Sequence, residues 1–303
     1  MSSSLPEGYT SRSATPADAG GIDAVITACD VALMGWSESR PEDVAAWFRS
    51  IDLDNDTWIV EHDGAIVACM DLMKHGEIAE TDGFVHPDHT GRGLGTWLRD
   101  RAEERTRAVG LSRVHTWCLE QDAVTRALLE TRGMTEVRRY YRMVIDLVDP
   151  PEPTIPDGIR IATYRDEDAR AFHDALTESF ADEWNFVPLT FDEWVKRRVE
   201  DPDTDTSLWF IAWDGDEIAG VNRCDPNRFG MGWIGALGVR NRWRKRGIGL
   251  ALLQHAFVEF HRRGLAKAGL GVDASNPTGA TRLYERAGMH VAYAAVSFAK
   301  ELA

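Results

Sequence analysis

Ile234-Gly-Ala-Leu-Gly-Val-Arg-Asn-Arg-Trp-Arg-Lys-Arg-Gly-Ile-Gly249 reads as an apolar strand that runs into a basic, glycine-bearing turn and opens a helix. Glycines at 247 and 249 let the backbone turn tightly and aim successive N–H groups at one point, and a helix starting near Leu250 adds the positive end of its dipole. Such a turn suits an anionic phosphate. Five cationic side chains, Arg240, Arg242, Arg244, Lys245 and Arg246, crowd it in a chain of formal net charge -15. The cluster points to a local anionic partner, because a general field for nucleic acid would need the opposite overall sign. A Walker loop is excluded by the lack of Gly-Lys-Ser/Thr, and a dinucleotide loop by the lack of Gly-x-Gly-x-x-Gly with a later acidic residue. Taken alone, the stretch fits either a phosphate-holding loop or an ordinary helix start with a solvated basic turn.

Downstream, the pattern predicts a helix over Leu250–Arg263, ended by Gly264, and a short strand near Ala268–Val272. Asn276-Pro-Thr-Gly-Ala-Thr-Arg-Leu-Tyr284-Glu-Arg-Ala-Gly288-Met289 follows. Arg244-x-x-Gly247-x-Gly249 together with this segment resembles the GNAT acetyltransferases, which pair a Gln/Arg-x-x-Gly-x-Gly/Ala loop with Asn-x-x-Ala-x-x-Leu-Tyr-x-x-x-Gly-Phe. The present chain departs by one extra residue between Asn and Tyr and by Met289 in place of Phe. The resemblance implies an α+β fold (an α/β mixed sheet), with two tandem domains, each a mixed sheet flanked by helices and splayed open beside its fourth strand. It implies acetyl-CoA as cosubstrate and no metal. Backbone around Leu237, Gly238 and Val239 would bind pantetheine and polarise the thioester, while Arg244, Lys245, Arg246, Gly247, Ile248, Gly249, Leu250 and Asn276 would serve the rest of the cofactor. Tyr284 would be the acid that protonates the leaving thiolate.

At 303 residues the chain is about twice the length of a typical domain, and its composition is that of a soluble protein. It is also one unit written twice. Arg12-Ser-Ala-Thr15 returns as Arg160-Ile-Ala-Thr163, Trp58 to Gly64 returns as Trp209 to Gly215, and Gly133-Met134 returns as Gly288-Met289. Each copy contains a strand, an Asp-Gly hairpin turn and a second strand, and the fourth strands are expected near Glu80–Val85 and Trp233–Val239. Four prolines between 150 and 156 predict a stiff linker over residues 149–157, dividing a first domain, 1–148, from a second, 158–303. The copies differ where the resemblance places chemistry. In the first, Phe84, Val85, Arg92, Gly93, Leu94 and Gly95 keep the acetyl-CoA positions, but Thr90 replaces Arg244 and Leu129 replaces Tyr284. The first domain is therefore read as a structural or regulatory half, with a shifted active site on Glu80 or Asp82 as the alternative.

The stretch Glu178, Asp182, Glu183 and Trp184 falls where this family builds its acceptor pocket. Carboxylates beside an aromatic ring suit a cationic amine and its proton, and equally suit an acidic helix end. No base is assigned, since the aligned part of the fourth strand offers Trp233 and no acid. His86-Pro-Asp-His89 and Asp52-x-Asp54-x-Asp56 lack the partners of a metal site and read as polar turns. Cys29, Cys69, Cys118 and Cys224 form no Cys-x-x-Cys pair, and no apolar run approaches a membrane span. The expectation is a cytoplasmic monomer or homodimer that uses no nucleic acid and no membrane. It transfers acetyl from acetyl-CoA to a primary amine of a small molecule or peptide by direct attack in a ternary complex. The tandem arrangement resembles the mycothiol synthases, which acetylate a cysteinyl amine. The competing reading is a non-catalytic acyl-CoA-binding sensor or scaffold.

Overall fold

The computed structural model describes residues 4–276 and 279–302. Its first half runs β1 (Thr10–Arg12), α1 (Ala19–Met34), α2 (Pro41–Phe48), β2 (Thr57–His62), β3 (Ala65–His75), β4 (Ile78–Val85), α3 (Leu94–Ala108), β5 (Arg113–Leu119), α4 (Ala123–Thr131) and β6 (Thr135–Asp146). The second half repeats that order as β7 (Ile159–Thr163), α5 (Ala169–Phe180), α6 (Phe191–Trp194), β8 (Trp209–Asp214), β9 (Glu217–Arg228), β10 (Met231–Val239), α7 (Ile248–Arg262), β11 (Lys267–Asp273), α8 (Ala280–Arg286) and β12 (His290–Glu301). Local signals account for the boundaries. Thr15 and Asp18 form a capping box ahead of α1, Pro41 begins α2, and α1 ends on Gly35 at φ +82°. The first hairpin turns on Asp63-Gly64, both at positive φ, whereas the second turns one residue later, with Gly215 at φ +61° and Asp214 already paired in the ladder.

The compact units are Met1–Arg139 with Ala294–Ala303, and Tyr140–Tyr293. The proline-rich stretch separates the two sequence copies, yet the closing strands are exchanged between units. In the first unit β12 residues pair with β5, from Ala295↔Leu119 to Glu301↔Arg113. In the second, β6 residues pair with β11, from Asp273↔Tyr140 to Lys267↔Asp146. Val296 and Phe298 are thus buried with Val114 and Cys118, and Met143 with Leu270 and Phe257.

In the second unit α7 turns Leu252, Leu253, Ala256, Phe257 and Phe260 onto the sheet, all at 0% exposure. That spacing makes a wide apolar stripe, and each large side chain contributes about 1.5–3 kcal/mol on burial. Gly232 of β10 permits it, because a Cβ there would lie 2.6 Å from the ring of Phe260.

Both mixed sheets open at the fourth strand. β4 pairs in parallel with β5 only from Ile78↔Arg113 to Thr81↔Thr116, and β10 pairs with β11 only at Gly232↔Ala268 and Trp233↔Gly269. On their other edges the same strands stay paired through Val85 with β3 and through Val239 with β9. On the side of β5 and β11, the last part of β4 and of β10 therefore presents an edge that no described strand pairs.

Candidate active site

Beyond β10 the chain enters the basic turn. Lys245 has φ +64° and Gly247 φ +88°, and the first unit repeats this with Gly91 at +72° and Gly93 at +86°. A left-handed lysine costs about 1–2 kcal/mol, so the turn is held by its surroundings. No side chain caps the start of α7, which leaves its first N–H groups to face outward together with the dipole. Gly249 has a packing duty. A Cβ there would approach Leu283 Cδ2 to 3.1 Å, and Gly95 is related to Leu128 in the same way at 3.0 Å. Glycine at this position lets α8 lie on the first turn of α7, which places Tyr284.

The cationic cluster finds most of its anions within the chain. Arg240 Nε bonds Glu178 at 2.6 Å, Arg242 pairs with Glu217, and Arg246 bonds Asp214 at 2.9 Å. Trp243 Nε1 donates to the same Asp214 at 2.9 Å. Arg244 donates to the carbonyls of Val239 at 3.2 Å and Ser179 at 3.1 Å, tying the end of β10 to the last turn of α5. The sequence reading of a local anionic partner is thus met in part within the chain, by Glu178, Glu217 and Asp214. Lys245 alone of the five is exposed and has no ion pair among the described residues.

The uncovered end of β10 carries Leu237, Gly238 and Val239. α5 lies close over it, for a Cβ on Gly238 would be 2.6 Å from Ser179 Cβ. Ile248 is buried at 1% exposure and Leu250 packs against the same core, so these two can offer a ligand backbone more readily than side chain. Trp233, 7% exposed, lies at the last paired residue before the opening, with Arg142 4.4 Å from its ring and Phe229 edge-on. A buried indole thus stands at the last β10–β11 pair, where the aligned strand carries no acid.

Two sequence-predicted residues are joined by a hydrogen bond, and a third senses their charge. Asn276 Nδ2 donates to Glu183 Oε1 at 2.7 Å. Burial pushes the Tyr284 phenol up to about 12, and the charge of Glu183 adds to the shift. Burial likewise raises the Glu183 carboxyl, helped by Asp273 and opposed by the bond from Asn276. Burial thus holds the proton on the phenol and raises the proton affinity of the carboxyl whose charge it senses. Asp273 was not singled out from sequence; its place at the end of β11, three residues before Asn276, was the available signal. Glu178 is brought elsewhere. It braces Arg240 and accepts the backbone N–H of Asn241 at 3.3 Å, so it secures the helix end. Asp182 is exposed and Trp184 partly buried on the same turn.

In the first unit the corresponding places hold different chemistry. Leu129, 2% exposed, fills the position of Tyr284, and Asp122 caps α4 by accepting from Thr125 N at 2.9 Å. Arg92 donates to Tyr9 Oη at 3.0 Å and to the Asp88 carbonyl at 2.9 Å, while Leu94 is buried at 1% exposure. Phe84 and Val85 are partly buried at the uncovered end of β4. His89 Nδ1 shares a 2.9 Å bond with Tyr9 Oη, and His62 stacks on Tyr9. Among the described residues no three His, Cys, Asp or Glu side chains form a group suited to a metal ion.

The model of the acetyltransferase (GNAT) family matches residues 25–134 and 167–289, covering the fourth strand, turn and helix of both units. The chain belongs to the GNAT acetyltransferase family. A relative from Catenulispora acidiphila, a mycothiol acetyltransferase, is 31% identical over 229 residues, which is 73% of this chain and 72% of the relative. A GCN5-related N-acetyltransferase from Sphaerobacter thermophilus superposes with a TM-score of 0.89 at 35% identity, covering 98% of this chain and 97% of that one. A tandem GNAT protein from the clavulanic acid biosynthesis pathway matches with a TM-score of 0.75 at 18% identity over 97% of this chain and 98% of that one, a likeness of fold. This GNAT chain is therefore a tandem acetyltransferase, and no described helix in it is long and apolar enough to cross a membrane.

Proposed function

We propose that the second unit transfers acetyl from acetyl-CoA to the primary amine of a small molecule, by direct attack in a ternary complex. The observation that carries this reading is the hydrogen bond from Asn276 to Glu183, a carboxyl whose charge reaches the buried Tyr284 phenol. The fit to a coenzyme A thioester rests on the start of α7 without a side-chain cap, the left-handed residues Lys245 and Gly247, and the edge of β10 beyond Trp233 that β11 leaves unpaired. Acetyl-CoA supplies an activated carbonyl and a thiolate leaving group. The N–H groups at β10 stabilise charge on the carbonyl oxygen. As the amine nitrogen bonds to that carbon and the carbon–sulfur bond breaks, Glu183 takes the amine proton and Tyr284 gives its own to sulfur. Glu183 then returns a proton to Tyr284, leaving amide and thiol as the only net products.

The names of the relatives make a cysteinyl amine of the mycothiol precursor type the first acceptor to try, with amino-sugar and peptide amines as further arms. The test is release of free thiol from acetyl-CoA in the presence of each amine. Thiol release that depends on one class of amine supports the proposal. Binding of acetyl-CoA with no release for any amine supports instead a sensor or scaffold. A reducing compartment such as the cytoplasm suits the reading, as Cys29, Cys69, Cys118 and Cys224 are all free.

A smaller effect is expected in the phosphate turn. Lys245→Ala should weaken acetyl-CoA binding by about threefold to tenfold at low salt and flatten its salt dependence, the scale of one screened charge contact. Arg246→Ala should change affinity less, because Arg246 is already engaged by Asp214. Calorimetry at two ionic strengths separates them, and equal losses in both variants would return the arginine to the phosphate site.

A further inference from the structure

In the second unit β11 lies between β6 and β10, and its residues alternate between two surroundings. Ala268, Leu270 and Val272 are buried in the core with α7. Gly269, Gly271 and Asp273 leave the other face, where a Cβ on Gly269 would stand 3.3 Å from the Trp233 ring. A Cβ on Gly271 would meet nothing within 4 Å, and the residue is exposed although its strand is an inner one. A glycine inside a strand with open space above it lets a ligand approach the sheet. The fold does not require that space. Gly271 is the fifth residue of β11; the fifth of β5 in the first unit is Trp117, set edge-on to Phe84 and paired with Ser297.

Acid lies toward one end of this space and cation toward the other. The carbonyl of Asp273, two residues on from Gly271, accepts the backbone N–H of Asn276 at 3.0 Å, and Asn276 holds Glu183 at 2.7 Å. Directly across from Gly271 on β6 is Arg142. Its guanidinium stands 4.4 Å from the rings of both Phe229 and Trp233, and its Nε donates to Tyr293 Oη at 3.1 Å. Phe229 holds φ +55° at the hairpin tip, a left-handed conformation that is strained for a bulky residue. Arg228 approaches the same Phe229 ring to 5.0 Å. On β9 Asp225 is the cross-strand partner of Trp233, and Arg223, 13% exposed, reaches Asp225 at 3.4 Å. The Arg223 guanidinium lies on β10 where a Cβ of Gly235 would be, 2.6 Å from Nη2. Three arginines thus gather on this face of a chain whose formal net charge is -15. A guanidinium stacked between rings and held through Nε is oriented in advance for the oxygens of a carboxylate or phosphate. We propose that the acceptor of the second unit carries such an anionic group about 7 Å from its primary amine, the rise of two strand residues. The amine lies toward Glu183 and Asp273, the body of the molecule over Gly271, and the anion at Arg142 with Arg223 beside it. This rests on the reading of the second unit as the one that transfers acetyl, and it makes a neutral amino sugar the poorer acceptor.

Thiol release from acetyl-CoA by the full chain at pH 8 is compared within matched pairs: 4-aminobutyrate against 4-amino-1-butanol, and glucosamine 6-phosphate against glucosamine. In at least one pair the anionic member should have the higher kcat/KM by about 10- to 100-fold, the scale of a charge-assisted fork. The pair that shows it identifies the anion as carboxylate or phosphate. Arg142→Gln should bring that ratio close to one, and Arg142→Lys, which keeps the charge without the fork, should restore part of it. Gly271→Leu adds a side chain to open space and should raise the KM of the preferred acceptor by about tenfold or more. Equal kcat/KM within both pairs, or a preference that survives Arg142→Gln, would overturn the inference while acetyl transfer itself stands. Should Arg142→Gln fail to fold, the ratio on the native chain and the Gly271→Leu effect decide. Should no amine release thiol, the transfer reading fails and binding decides. The Trp233 fluorine resonance of protein labelled with 5-fluorotryptophan, assigned by its loss in Trp233→Phe, should then shift saturably with an anionic amine and not with its neutral partner or equal sodium chloride. Identical responses to both members of each pair would overturn the inference on that ground as well.

Discussion

Tyr284→Phe is expected to lower turnover by about 10²–10⁴-fold, the range for losing a general acid, while acetyl-CoA affinity barely changes. The ring stays where Gly249 and Leu283 place it, and the packing of α8 on α7 is untouched. Only the phenolic proton is removed. Because that phenol is pushed up to about 12, it is protonated at every pH used for assay, so it contributes no alkaline limb near neutrality and its loss scales the whole profile down. Stability should change by no more than about 1 kcal/mol, as no hydrogen bond between described residues is broken. A tyrosine that merely packed behind the cofactor would give the opposite pattern, a lower melting temperature with near-normal turnover in the folded fraction. Melting temperature and single-turnover rate measured on one preparation separate these outcomes, and a folded Tyr284→Phe protein that transfers acetyl at the parent rate removes Tyr284 from the mechanism.

The strand, turn and helix around Gly247 were legible because each is written in contiguous residues: an apolar run, glycine at a left-handed position, an amphipathic stripe. Asn276 and Tyr284 were singled out because their segment resembles the family's Asn…Leu-Tyr…Gly motif. The fate of the arginines was not. Glu178, Glu217 and Asp214 come from α5, β9 and β8, and nothing in the spacing of 240–246 says which carboxylate will arrive at which guanidinium. The same holds for Glu178 and Glu183, which look interchangeable as letters. The former belongs to the last turn of α5 and faces Arg240, whereas the latter lies beyond it in a turn held by its own N–H to the Phe180 carbonyl at 2.9 Å, facing Asn276. Nor was the exchange of β6 and β12 visible. The two copies have equivalent closing strands, and alternation of apolar residues is satisfied by either neighbour, so only the three-dimensional pairing distinguishes them.

Replacing Glu183 by Gln tests the other half of the proton path. The carboxyl is raised by burial and by Asp273, so as a base it is active only above a pKa that lies higher than the usual carboxylate value of about 4.3. The native enzyme should therefore lose kcat/KM as pH falls through that raised value. Glu183→Gln should lower kcat by about 10²–10⁴-fold and abolish this acid limb, with acetyl-CoA affinity retained. Deprotonation of the substrate amine produces a limb of its own, so the profile has to be measured with acceptors of different basicity. A limb that moves with the amine belongs to substrate, and one that stays fixed belongs to Glu183. Unfolding is a weak rival explanation, because a carboxyl raised in the folded state costs stability when ionised, and the amide carries no such cost at pH 8. Glu178→Gln is the matched control. It removes a partly exposed pair with Arg240, worth no more than about 1 kcal/mol, and should lower the melting temperature slightly while leaving the fixed limb in place. A Glu183→Gln enzyme that keeps the fixed limb would assign it to another group, with Asp273, the next acid along the same edge, as the residue to replace.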